Sequence, residues 1–190
     1  MKRSFPRLLP WSILLPLFLA LSFIGCLVSE TTQFTITMND DGKGGTMVTV
    51  MRNIQSEETE SDRQAKDFDE AIRAWKEDDY LLERMHNGLY VKDRALSLEG
   101  NQLVWRETAI FSDLGDVFRH EYKEDTLRFI IKDDQKIVAT NGTVLATKDS
   151  TIVFWAVAKA KEISLTTRAD SFSAKSDFAS RFKRYLQESQ

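Results

Sequence analysis

Cysteine, histidine and proline are scarce in this 190-residue chain, and each scarcity removes a class of chemistry. Cys26 is the only cysteine, so no disulfide can form within the chain and no cysteine-rich metal site can assemble. Two histidines are present, His86 and His120, and His120-Glu121 lacks the second histidine of a His-Glu-x-x-His zinc helix. No Gly-x-Ser-x-Gly elbow supplies a serine nucleophile. All three prolines (Pro6, Pro10 and Pro16) precede Cys26, which excludes a proline-rich linker or stalk from the rest. No repeat of solenoid or propeller period occurs.

The chain does have a basic start followed by a long uncharged stretch. Lys2, Arg3 and Arg7 are followed by Leu8 to Gly25 without a charge, and the stretch closes on Gly25-Cys26. Pro10 and Pro16 would each remove a helical hydrogen bond, which disfavours a membrane-spanning helix there. A basic start, an apolar run of signal length and a small residue before a cysteine resemble the signal of a bacterial lipoprotein. Phe23 departs from the Leu, Val or Ile of that pattern. The resemblance implies cleavage between Gly25 and Cys26 by signal peptidase II, with a diacylglyceryl group on the Cys26 thiol. Two or more acyl chains give stable anchoring where one does not. It also implies a membrane-attached protein of the cell envelope, facing the periplasm or exterior. Leu27, standing where an aspartate would retain the protein at the inner membrane, points to the outer membrane in a Gram-negative host.

Residues 1–25 thus read as a signal peptide, 26–32 as the acylated cysteine with a short tether, and 33–190 as one α+β domain. Losing Lys2, Arg3 and Arg7 moves the formal charge from −3 to −6, which gives nucleic acid no electrostatic attraction. The acid is concentrated: residues 55–85 hold eleven carboxylates against five Lys or Arg. Such a surface is repelled by anionic headgroups and is expected to point away from the bilayer. The more basic stretch 159–190 is then the membrane-proximal side.

Alternation of Phe34, Ile36 and Met38 predicts a strand, and Asn39-Asp40-Asp41-Gly42 a turn into a return strand over 46–52. A Thr- and Val-rich hairpin soon after the cysteine resembles bacterial lipoproteins of unknown function, including the LppM-like group. No motif in that likeness assigns a role to a residue. Ser61 and Gln64 match a capping box, with Ala65, Phe68, Ile72 and Trp75 at helical spacing, so a helix is predicted over about 62–78. Strands follow over 88–98, 103–111, 126–132, 136–140, 143–147, 151–157 and 162–168, with Asn141-Gly142 as a two-residue hairpin signal. Ser176 caps a final helix carrying Phe178, Phe182, Tyr185 and Leu186. The expected fold is a single antiparallel sheet covered by two amphipathic helices.

Several stretches invite a chemical reading. Gly42-Lys43-Gly44-Gly45-Thr46 lacks the spacing and the following helix of a phosphate loop. Asn39-Asp40-Asp41-Gly42 lacks the closing glutamate of a calcium loop. Neither a cofactor nor a metal is expected. His120, Asp113 and Asp116 form the candidate polar site, and Trp75, Phe154 and Trp155 could line an apolar pocket or simply fill the core. The functional expectation is a lipid-anchored, non-catalytic binding or assembly module whose partners are the membrane and an envelope protein. The alternatives are a small hydrolase or transferase using His120 with Asp113 and Asp116, and a lipid-carrying module with an apolar cavity.

Overall fold

The computed structural model describes residues 27–148, 150–172 and 176–189. Gly25 and Cys26 lie outside the described residues. The chain begins with a long hairpin, β1 (Leu27–Met38) and β2 (Gly45–Ser56), then two helices, α1 (Ser61–Lys76) and α2 (Asp78–His86). A second hairpin, β3 (Tyr90–Glu99) and β4 (Gln102–Phe111), leads through the short α3 (Leu114–Val117) into β5 (Tyr122–Lys123) and β6 (Thr126–Ile131). Next come β7 (Gln135–Thr140), β8 (Thr143–Ala146), β9 (Thr151–Ala156), β10 (Glu162–Ala169) and α4 (Phe178–Glu188).

The expectation of one sheet is corrected. The strands form two antiparallel sheets, a six-stranded one in the order β3-β4-β2-β1-β10-β7 and a four-stranded one in the order β5-β6-β9-β8. The boundary that sequence could not show lies at Asn141-Gly142. This pair does not close a β7–β8 hairpin, because β7 pairs with β10 in the large sheet and β8 with β9 in the small one. Neither residue has the positive φ that a type I′ turn requires. Asn141 instead joins the sheets. Its Nδ2 donates to the Glu162 carbonyl at 2.8 Å, and its Oδ1 accepts from Ser164 N at 2.9 Å and from Trp155 Nε1 at 2.8 Å. Gly142 is needed for close approach: a Cβ there would meet Trp155 ring atoms at 2.5 and 2.7 Å and Val153 Cγ1 at 2.8 Å. Gly142→Ala should therefore cost about 1–3 kcal/mol by overpacking, read as a lower denaturation midpoint at unchanged slope.

The large sheet buries one face under two different covers. Residues directly opposite one another share a face, so the row Leu165–Phe34–Thr49–Glu107–Arg94 crosses five strands on one side. Toward the 39–44 turn, Ile36, Met47, Ala109 and Ile163 pack against Leu127, Phe129, Val153 and Trp155 of the small sheet. Toward the Leu27 end, Met51, Leu96, Leu103 and Trp105 pack against Phe68 and Ala74 of α1 and Phe178 and Phe182 of α4. Phe129 sits at the centre of the first core, with ring centroids 5.1 Å from Phe34, 5.5 Å from Phe118 and 5.8 Å from Trp155. The space between the sheets is thus occupied by aromatic side chains.

The helices differ from expectation in their ends. Ser61 does not cap α1. Glu60 holds the N-cap position without a side-chain bond, and Gln64 Nε2 reaches the Glu58 carbonyl at 2.8 Å. The helical segment breaks at Glu77, whose extended ψ of 147° ends α1 and starts α2, a helix the sequence pattern does not announce. Asp177, not Ser176, caps α4 by accepting from Ser180 N at 3.0 Å. Ser176 Oγ accepts from Ser56 N at 3.0 Å, while Ser56 Oγ donates to the buried Asp67 carboxylate, so β2, α1 and the start of α4 are tied together. The hydrogen bonds from Ser180 hold the Asp177 carboxyl below its ordinary pKa of 3.8. A depressed carboxyl stabilises the fold above its unfolded value, and the contribution disappears as pH falls through the folded one. Asp177→Ala should remove about 1 kcal/mol at neutral pH and almost nothing at pH values below the folded pKa, measured by chemical denaturation.

Candidate functional site

The turn end of the first hairpin builds a cleft of about 480 Å³ lined by Asp40, Asp41, Gly42, Lys43, Asp113, Leu114, Tyr122, Asp125, Val157 and Ala158. Four loops converge there for identifiable reasons. Gly42, at φ 70°, lets the 39–44 turn close, with Gly42 N donating to the Asn39 carbonyl at 3.0 Å. Asp41 Oδ1 accepts from Lys43 N at 3.0 Å, the local bond that makes aspartate a turn residue. Leu114 N donates to the Lys43 carbonyl at 3.0 Å and joins the start of α3 to that turn. Asp113 caps α3 by accepting from Gly115 N at 2.7 Å. On the small sheet, Val157 N donates to the Asp125 carbonyl at 2.8 Å and sets the β5–β6 turn against the end of β9.

Tyr122 is the half-buried polar group of the cleft. Its hydroxyl donates to Asp125 Oδ1 at 3.0 Å. Burial pushes its phenol above the ordinary value of 10.0, and the bond to Asp125 and the negative charges of Asp125 and Asp113 add to the effect. It therefore stays protonated and keeps donating at neutral pH. Four carboxylates against one ammonium make the lining acidic, so the cleft attracts cationic groups and disfavours anions. Among the described residues, no group of three or more His, Cys, Asp or Glu side chains is placed to hold a metal ion.

The structure divides the sequence-predicted polar site. Asp113 lines the cleft, but Asp116 and His120 do not. Asp116 packs toward Gly88, with its Cβ 3.5 Å from where a Gly88 Cβ would stand, and His120 is exposed. Sequence reasoning missed Tyr122 and Asp125, which lie in a two-residue strand and its turn and carry no motif. It noticed Asp40, Asp41 and Lys43 only as a turn, which they are, and their place beside Asp113 follows from pairing between distant strands. The aromatic candidates separate as well: Trp155 is core, Phe154 is on the outer face of β9, and Trp75 packs on Phe182 at 5.6 Å.

A second polar constellation is buried at the seam between the two covers of the large sheet. Arg84 of α2 bonds Glu107 of β4 through Nε at 3.1 Å and Nη2 at 2.6 Å, both onto Oε1. Tyr80 donates its hydroxyl to Glu107 Oε2 at 2.5 Å. Arg84 and Glu107 are 5 % and 1 % exposed, so neither charge has water to fall back on. Burial holds the Tyr80 phenol far above its ordinary pKa, which keeps it a donor. Tyr80 also packs edge-on to Trp105 at 5.4 Å, with the Arg94 guanidinium 5.6 Å from its ring centroid. With both Glu107 oxygens bonded to side chains of α2, the constellation fixes α2 on the sheet.

Among the described residues, no helix is long and apolar enough to cross a membrane. Comparison with protein-family models, with curated proteins and with solved structures finds no match to this chain in any of the three.

Proposed function

We propose that this chain is a lipid-anchored protein of the bacterial cell envelope, acylated at Cys26, whose β-rich body is a binding or assembly module seated on the membrane surface. The supporting observation is where the fold starts. Leu27, the residue after Cys26, is already paired with Ser56 in the β1–β2 ladder and packs beside the helical core. Residues 27–32, expected as a tether, are instead the first half of β1. An acyl group on Cys26 would therefore hold the folded body against the headgroups with almost no slack.

Two consequences follow for orientation. β1 has twelve residues, so the acidic cleft at its far end would stand roughly 36 Å from the anchor, facing the aqueous side. The acidic segment 57–62 directly follows Ser56, and the basic helix α4 packs toward the Leu27 end, so both would lie near the anchor, where charge alone places only the second. Metabolic labelling with a clickable palmitate analogue tests the anchor: the wild-type chain should take the label and Cys26→Ala should not. An unlabelled wild type, or equal labelling of both, would overturn the proposal.

A further inference from the structure

Sheet edges expose unpaired backbone donors and acceptors, and proteins usually blunt them with charge, bulges or brevity. Three of the four edges here are blunted. The β3 edge has a bulge that leaves Lys92 unpaired between Val91 and Asp93, and Asp93 and Arg94 add further charge. The β7 edge has a bulge at Val138 and carries Lys136. The β5 edge is two residues long. The β8 edge, four residues long, carries neither charge nor bulge. Its sequence Thr-Val-Leu-Ala is uncharged, it pairs with β9 without a bulge, and all four residues are exposed.

We infer that β8 pairs with β8 of a second copy of this chain, antiparallel about a two-fold axis perpendicular to the small sheet. Two observations favour a second copy as the occupant. First, the strand bears no charge, so two copies meet without repulsion; the nearest charge along the chain is Lys148, beyond the strand's end. Second, the outer face of the small sheet carries the row Ile130–Ile152–Leu145, which ends at the open edge. A perpendicular two-fold keeps the outward residues of both copies on one side, so Leu145 of each meets its counterpart and the apolar row runs on across the join. Leu145 is 52 % exposed and Val144, on the opposite face, 46 %, so the strand projects from the core with both faces open. Four residues bury less than the roughly 1,200 Å² of a stable interface, so the pairing is transient in dilute solution.

The test uses the purified full chain carrying Cys26→Ala in detergent micelles, with one new cysteine at a time. Leu145→Cys and Thr143→Cys, both outward on β8, are compared with Lys92→Cys on the bulged β3 edge, using a short bis-maleimide whose reach spans either symmetric register. The β8 variants should give at least tenfold more covalent dimer than Lys92→Cys. Adding Val144→Lys to Thr143→Cys should bring the yield down to the β3 level with an unchanged circular dichroism spectrum. Equal yields at the two edges, or a β8 yield that Val144→Lys does not move, would overturn the inference. So would protection of Leu145→Cys from a thiol reagent by phosphatidylglycerol–phosphatidylethanolamine vesicles without any dimer, which would assign the strand to the membrane.

Discussion

Replacing Arg84 with methionine is expected to destabilise the fold by about 3–5 kcal/mol, because it leaves the Glu107 carboxylate buried without its counter-charge. Methionine fills much of the same volume, so the loss reports the charge and not a cavity. Glu107 is 1 % exposed and sits on the middle row of the sheet, where water cannot replace two guanidinium bonds. Tyr80 would remain as a donor to the other oxygen, and one neutral hydroxyl does not offset a full buried charge. Adding Glu107→Gln to Arg84→Met should recover a large part of the loss, since the amide removes the stranded charge and still offers an oxygen to Tyr80. Urea denaturation of the two single variants and the double gives the coupling directly. Losses that simply add would show that the pair does not act as a unit.

The second large effect is expected at Phe129. Truncation to alanine should cost about 3–5 kcal/mol, combining lost apolar burial with a cavity that three surrounding rings cannot close. Phe34 and Ile36 belong to the large sheet and Trp155 to the small one, so Phe129 is where the two sheets grip each other. Its neighbour Ile130 points to the other face and is 44 % exposed, so Ile130→Ala should shift stability by about 0.5 kcal/mol or less. The contrast between adjacent positions, measured as denaturation midpoints, checks the two-sheet arrangement itself. If β6 lay in one continuous sheet with a solvated inner face, the two substitutions would cost about the same.

Local pattern carried most of the individual elements. The alternation of Phe34, Ile36 and Met38, the turn at 39–44 and the amphipathic stretches of α1 and α4 lie close to where periodicity and turn chemistry place them. The partition into two sheets was not legible, because alternation shows that a strand has a buried face and not which sheet it joins. Asn141-Gly142 is the clearest instance. The dipeptide has the composition of a hairpin turn, but its side chain and its lack of one are used for hydrogen bonding between sheets and for room beside Trp155. The α2 helix was hidden by its polarity: Asp78 to His86 has no broad apolar stripe, and it is held by Arg84 and Tyr80 reaching a glutamate more than twenty residues away. For the cleft, Asp113 was identified and Tyr122 and Asp125 were not, since their convergence depends on which loops the two sheets bring to the same end.

The measurement that bears most directly on the proposed role is the intact mass of the protein expressed from this 190-residue sequence and purified from the membrane fraction. The lipid-anchor reading predicts a chain that begins at Cys26 and carries a diacylglyceryl group, with or without a further acyl chain on the amine. A chain recovered in the soluble fraction, beginning elsewhere and bearing no acyl adduct, would contradict it.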